Sequence, residues 1–528
     1  MPNPNHVDGF SSLPTEIFAT LLSYLDLDSI KALRLTSGSL ARRCIGPRFL
    51  ESIQQPVLDV SLENLRSLLA LSRNHDLSKK ITSLTFLATI MDISGLERDI
   101  KNGWYSVDDF KAPTLEETDF NFSPEELSKA KDDLKWLKKQ KEGRETESSS
   151  DVTGLLQLAL ENLGDLDSIH LNSAVIRGPK QRRSLKYGEW IPLWTRASKV
   201  FSWVTTALAK SQASVKTFDA YQSNRECGLE ASNIDRHELT HDPAELVWSC
   251  KALESLEMSI SGEVQDALDF KRKLEEEDEE DEDDDRIYEE DDQANARKES
   301  CTSQENQIEL SRKPSFFLRS APGLRKLELS FRRTAELDLK FKEKYDWIID
   351  SIAREAEFPK LEACTFTGFP AKGESILLFL EKHPGLRSLR IHECHLSSGS
   401  WTPIFAYLEQ SMPELQHLSF SNLFGRHMQN FKYAQAQELN EDFGRDKRED
   451  DWQEGDGLVI WGHTDPSPRW TRYTSTTGSG VHTISFTREE IKKGLVSRPL
   501  NPGPGRVKGS AENWRWRKNR LTLYGPLA

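Results

Sequence analysis

The chain is poor in cysteine and has no long hydrophobic run. Its 528 residues include only six cysteines, and none lies within four residues of another. This scarcity argues against a disulfide-stabilised secreted domain. The longest apolar stretches, such as residues 376–380, fall far short of the ~18 residues that a membrane-spanning helix needs. We therefore expect a soluble protein without a disulfide scaffold and without a membrane partner.

The start of the chain has no recognisable secretory signal, because residues 1–9 are polar and contain no apolar core. Together with the few cysteines, this predicts a reducing compartment, cytoplasmic and/or nuclear. The sequence contains no phosphate-binding loop, nucleophile elbow, dinucleotide turn or paired Cys/His array of the RING type. It therefore predicts neither a cofactor nor catalytic residues.

Negative charge is concentrated in one segment. The formal charge is −15, from 70 basic and 85 acidic residues. Residues 275–292 hold fifteen acids and the single Arg286, a net −14, which leaves −1 for the rest of the chain. Like charges repel and little apolar surface is available there, so we predict a disordered insertion over residues 271–312. The acidic balance argues against a protein that coats nucleic acid.

Residues 10–50 have the pattern of three short helices. A unit of this size buries too little surface to be stable alone, so we expect its remaining apolar face to be covered by something else. The apolar positions recur at helical spacing, at Leu13, Ile17, Leu21 and Leu25, followed by Leu33 and Leu40.

This stretch resembles an F-box, the module through which substrate receptors dock onto the Skp adaptor of cullin-RING ubiquitin ligases. The Leu13-Pro14-x-Glu16-Ile17 opening and the helix start at Asp28 fall in the family's order and spacing. Gly38 departs from the family, which often has a longer polar or basic side chain there. The resemblance covers residues 8–50. It implies an adaptor-facing apolar surface made of Leu13, Pro14, Ile17, Leu21, Leu25, Leu33 and Leu40. The alternative is the start of a helical domain with no partner.

Downstream, the chain repeats the phrase L-x-x-L-x-L in complete or decayed form. This is the strand phrase of a leucine-rich repeat, and it predicts an α/β fold, an irregular solenoid over residues 51–425 with helices between the strands. Unrelated strands of an α/β domain are the alternative. The seven copies are centred on Leu84, Leu166, Leu256, Leu327, Leu361, Leu389 and Leu418.

Two further regions differ from the repeats. Residues 97–150 form a charged insertion in which Ser123 and Glu126 predict a capping box at the start of a short amphipathic helix; the insertion resembles one found in fungal F-box proteins. Residues 426–528 hold five of the thirteen tryptophans and a basic tail at 506–520. We expect short strands there, including a hairpin that turns at residues 478–480. The tail is interpreted as packing on the repeats or contacting the substrate.

One string could support catalysis. His237, Glu238 and His241 have the H-E-x-x-H spacing that on a helix places two imidazoles on one face for zinc, with the glutamate as general base. Pro243 disfavours helix at this point, which leaves a zinc metallohydrolase as an alternative only. A second group, interpreted as packing and not as a metal site, contains Cys364, His392, Cys394 and His395.

These patterns predict a non-catalytic substrate-recognition subunit of an SCF-type ubiquitin ligase. The F-box would bind the Skp adaptor and through it the cullin-RING core, while the repeat region would bind a target protein that the sequence does not identify. A repeat scaffold outside any ligase is the remaining alternative.

Overall fold

A computed structural model describes residues 13–46, 49, 53–108, 117–179, 181–183, 190–223, 227–232, 251–262, 321–332, 344–421, 423, 429–432, 470–474, 480–493 and 495–499. The acidic insertion at 271–312, the string from His237 to His241 and the basic tail at 506–520 lie outside these residues. None of the helices in the described part is long and apolar enough to cross a membrane.

The described elements alternate between helices and strands along most of the chain. The helices are α1 Thr15–Tyr24, α2 Leu27–Thr36, α3 Gly38–Arg43, α4 Leu62–Ser72, α5 His75–Ser78, α6 Ile93–Asn102, α7 Pro124–Glu145, α8 Ser149–Leu163, α9 Trp190–Ser211, α10 Trp347–Glu355, α11 Gly373–Lys382, α12 Trp401–Gln410 and α13 Arg488–Lys492. The strands are β1 Val57–Asp59, β2 Ser83–Met91, β3 Trp104–Asp108, β4 Glu117–Asn121, β5 Leu166–Gly178, β6 Gln181–Arg183, β7 Val215–Ala220, β8 Leu229–Glu230, β9 Ser255–Ser261, β10 Lys326–Arg332, β11 Ala363–Thr367, β12 Pro370–Lys372, β13 Ser388–His392, β14 His395–Ser398, β15 His417–Ser421, β16 Gln429–Lys432, β17 Trp470–Thr474, β18 Gly480–Thr487 and β19 Val496–Pro499.

A large, mostly parallel sheet forms the centre of the fold, which is therefore mixed α/β as expected. Its order is β1-β2-β5-β7-β9-β10-β11-β13-β15-β18-β17, with β6 beside β5 and β8 beside β9. The nine strands from β1 to β15 along this order are parallel and follow the chain order. Parallel neighbours need crossover connections. Helices supply them wherever the structure describes the whole connection, whereas the connections from β7 to β9 and from β9 to β10 run largely outside the described residues.

Five of the seven predicted repeat centres lie in register across the sheet, and Ile169 and Cys364 occupy that row in place of Leu166 and Leu361. We call the face that holds them the inner face, and all members of its first row are buried. Side chains alternate between the two faces of a strand, so apolar residues two positions apart in each strand lie on the same face of the sheet. That row consists of Leu84, Ile169, Phe218, Leu256, Leu327, Cys364, Leu389 and Leu418.

The crossover helices cover this inner face. Phe201 of α9 contacts Phe218 of β7 with ring centroids 6.2 Å apart. Phe379 of α11 lies 5.2 Å from Phe366 of β11, and α12 packs on β15 through another aromatic pair. Buried aromatic contacts of this kind contribute beyond their buried area. These contacts belong to one hydrophobic core, whose members range along the chain from Phe18 to Leu495.

The charged insertion packs on the other side of the sheet, which we call the outer face. The predicted capping box of Ser123 and Glu126 is confirmed at the start of α7, and the helix is longer than expected, with 22 residues. Leu137 is completely buried in a small second core with Leu96 and Ile176. This core covers the carboxyl ends of β2 and β5.

A hairpin closes the far end of the sheet. β17 and β18 are antiparallel, and β18 pairs antiparallel with β15; the hairpin predicted from sequence is thus present. Arg488 of α13 donates a hydrogen bond of 2.9 Å to the Met412 carbonyl, just after α12. Two-stranded sheets are formed by β3 with β4, β12 with β14 and β16 with β19.

Candidate partner-binding surface on the N-terminal helices

The first three helices share one buried side. Pro14 precedes α1, where its missing N–H costs nothing because first-turn amides have no helical acceptor. The Asp26 carboxylate accepts from the Ser29 N–H at 2.6 Å and caps α2. The Ser37 hydroxyl caps α3 in the same way, 3.1 Å from the Leu40 N–H. The side chains on the buried side are Phe18, Leu22, Ile30, Leu40 and Cys44.

Two arginines brace the unit. The Arg43 guanidinium lies 4.5 Å from the centre of the Phe18 ring and donates a hydrogen bond to the Leu13 carbonyl. The Arg34 guanidinium lies 4.0 Å from the Phe49 ring, and burial lowers the pKa of Arg34. Cation–π contacts at partly buried positions are favourable. The start of α1 is therefore fixed against α3, so its outward side has a defined shape.

One strip of the solvent side of α1 is apolar. Ile17 is 52% exposed, Leu21 40% and Tyr24 82%, and Pro14 is exposed as well. These residues are spaced by three or four positions, so they lie on one helical face. We call these four residues the α1 stripe. Contiguous exposed apolar side chains of this size mark an interaction surface more often than chance exposure.

The residues predicted to face an adaptor divide into three groups. Pro14, Ile17 and Leu21 are exposed within the α1 stripe. Leu40 is 7% exposed and lies in the chain's own core, so it is not available to a partner. The three half-buried members, which pack against that core, are Leu13, Leu25 and Leu33.

Two exposed apolar residues were not among those predicted for the surface. Tyr24 continues the α1 stripe one turn beyond Leu21, which is a signal present in the sequence. Leu35 is 88% exposed near the end of α2. Neither buries much area within the described part of the chain, and both extend the apolar surface.

Beside Leu35, a groove of about 440 Å³ separates α2 from α4. Its lining is mainly aliphatic and aromatic, with Lys31 and Arg34 among the lining residues. An apolar side chain fits such a groove, and the two cations favour an anionic neighbour. The apolar lining consists of Leu35, Phe49, Ile53, Pro56, Leu58, Leu68, Leu71 and Leu77.

Away from the second core, one row of the outer face is polar. The Lys326 ammonium lies 2.6 Å from the Glu257 carboxylate and 3.2 Å from that of Glu328. Burial alone would lower the pKa of Lys326, but the hydrogen bond and charge of Glu257 raise it above its ordinary value. The row that crosses this face consists of Thr85, His170, Asp219, Glu257, Glu328, Thr365, Arg390 and Ser419.

The buried thiols are unreactive. Burial raises the pKa of Cys44 and of Cys364, which keeps both thiols protonated. His392 Nε2 lies 3.1 Å from the Ser419 hydroxyl, and the Cys394 thiol donates to the His392 carbonyl. Among the described residues, no group of three His, Cys, Asp or Glu side chains could hold a metal ion.

Neither a protein-family model nor a curated protein matches the chain.

Proposed function

We propose that the chain is the substrate-recognition subunit of an SCF-type cullin-RING ubiquitin ligase, with residues 8–50 acting as an F-box that binds the Skp adaptor. The observation that carries this proposal is the α1 stripe, which stays exposed while the opposite side of α1 is packed into the core. The Leu13-Pro14-x-Glu16-Ile17 opening supplies three of the residues at or next to that stripe.

The energetics favour a partner at this surface. Leaving Ile17, Leu21 and Tyr24 in water forgoes the free energy that burial would supply, roughly 25 cal/mol per Å² of apolar area. Large aromatic and aliphatic side chains near the centre of an interface supply most binding energy. Leu35 and the groove beside it extend the apolar area along α2.

The repeat region supports the second half of the proposal. Nine parallel strands follow one another in chain order and eight of them share one apolar row in register, which is the arrangement expected of a leucine-rich-repeat-like solenoid. Its outer face presents side chains of both charge signs, including the half-buried Glu328 and the exposed Arg390. We assign target recognition to this region because exposed polar rows provide specificity without chemistry.

The mechanism is proximity, and the chain itself is not catalytic. Holding a target beside a ubiquitin-conjugating enzyme raises the effective concentration of the target's lysines. No proton or electron needs to move on this chain. The site of action in the cell follows the ligase, in the cytoplasm and/or the nucleus.

The test is a binding measurement between the full chain and a purified fungal Skp adaptor. We expect a stable complex by size-exclusion chromatography and recovery of the cullin when the complete ligase is mixed. A chain that folds but does not bind the adaptor would favour the repeat scaffold. Zinc in the purified protein, with peptidase activity lost in Glu238→Gln, would favour the metallohydrolase.

A further inference from the structure

Helix α7 presents a row of lysines to solvent. Lys131, Lys135 and Lys139 are spaced by four residues and are all exposed. We call them the lysine stripe. Within the described part of the chain none of them forms an ion pair, whereas the neighbouring Lys138 contacts Glu97 at 2.5 Å. Residues four apart on a helix are neighbours, so the row is about 12 Å long.

The lysine stripe is held on a fixed helix. Leu137 of α7 is completely buried. At the end of the helix, Arg144 lies 2.5 Å from the Asp59 carboxylate and donates to the Thr89 carbonyl at 2.7 Å. A fixed row of cations loses less conformational entropy on binding than lysines on a mobile loop.

Local acids do not neutralise the lysine stripe. Asp133 is half-buried with its carboxylate beside Gly178, on the side of α7 that packs against the sheet. Burial raises the pKa of Asp133, while the charge of Lys129 opposes that shift. Asp132 and Glu142 are exposed three residues from Lys135 and Lys139, respectively, so each acid lies beside one lysine of the row. Residues 129–142 nevertheless hold six lysines against three acids, so this part of the helix keeps a net positive charge toward solvent.

We propose that the lysine stripe binds the acidic segment of this same chain, residues 275–292. That segment carries fifteen acids against one arginine, so its charge complements the row. Opposite charges that meet in this way favour and orient an association. The inference does not depend on the ligase assignment.

The acidic segment follows β9 closely enough in the chain to reach the lysine stripe. The described residues before it end at 262, directly after β9. The carboxyl end of β9 lies at the same edge of the sheet as the ends of β2 and β5 that α7 covers, because these strands are parallel. Two strand spacings separate β5 from β9, about 10 Å. The thirteen residues up to 275 can span about 40 Å, and a short tether gives an effective concentration near ~1 mM.

The experiment is carbodiimide coupling of carboxylates to amines on the full chain, followed by peptide mass spectrometry. We expect crosslinks from Lys131, Lys135 and Lys139 to residues 275–292. Their yield should fall at least about fivefold in 1 M salt, where the screening length drops to ~3 Å. A mixture of isotope-labelled and unlabelled protein separates crosslinks within one chain from those between copies.

Two variants provide the controls. The first variant replaces the acids of residues 275–285, which lie outside the described core, with Asn and Gln. Because it removes most of the proposed partner, it should raise the acetylation rate of the lysine stripe. The second is Lys79→Glu with Lys80→Glu and Lys210→Glu, three exposed lysines elsewhere, and it should leave the crosslinks unchanged. Equal crosslinking of Lys79, Lys80 and Lys210 to residues 275–292 in the wild-type chain would overturn the proposal. So would crosslinks only to the 506–520 tail or only between copies, or an unchanged acetylation rate.

Discussion

Replacing Ile17 and Leu21 together by alanine tests the adaptor-binding surface. The two residues are 52% and 40% exposed, so together they offer roughly the area of one complete aliphatic side chain for burial. Burying one such side chain contributes about 2 kcal/mol. We therefore expect the Kd for the Skp adaptor to rise about 30-fold in the double variant, since 1.4 kcal/mol is tenfold.

The assay is isothermal titration of the full chain with the adaptor. Leu158→Ala is the matched control, because Leu158 is a 43% exposed leucine on helix α8, far along the chain from the α1 stripe. It should leave the Kd unchanged. The reasoning is refuted if the double variant binds as tightly as the wild type, or if Leu158→Ala weakens binding equally. Thermal unfolding of all three proteins checks that the helices remain folded.

Three further predictions concern stability. Arg144→Met removes the ion pair with the half-buried Asp59 carboxylate and should lower the free energy of unfolding by about 2 kcal/mol in a urea titration; an unchanged midpoint would contradict a stabilising role of this pair. Gly368→Ala places a Cβ against the Phe331 carbonyl oxygen at a φ of +79°, and we expect a loss of about 2 kcal/mol or more and a lower Tm. Burial, followed by the charge of the neighbouring Arg390, lowers the pKa of His392 to about 4. The unfolded chain then binds the proton first, so stability falls as pH drops from about 6.5 to 4, by up to ~3 kcal/mol. His392→Asn should remove that part of the pH dependence, and identical pH profiles of the two proteins would contradict it.

The strand positions follow from the sequence where large apolar residues recur. The phrases around Leu84, Leu327 and Leu418 lie in strands of one sheet. β7 was not predicted, because Ala220 stands where the phrase has a large residue and only Val215 and Phe218 remain. The neighbouring strands β5 and β9 hold β7 in the row. This is a tertiary effect, which the periodicity of a single segment cannot predict.

The charged insertion and the candidate site illustrate a second limit of prediction from the sequence. The spacing of Leu134 and Leu137 predicts a helix, but not that Leu137 packs on Ile176 across the outer face of the sheet. Similarly, helical period groups Ile17 and Leu21 on one side of α1 and predicts an apolar face. It does not tell which of the apolar residues the chain buries for itself, and Leu40 proved to be one of them.

The β17–β18 hairpin has a consequence for solution behaviour. By pairing with β15 it occupies the backbone amides and carbonyls at the end of the parallel ladder. A truncation before residue 470 would leave β15 as an open edge whose Leu418 and Phe420 lie at the rim of the core. Unprotected edges of that kind recruit strands from other molecules. Such a shortened protein should assemble into aggregates as its concentration rises, while the longer chain stays dispersed.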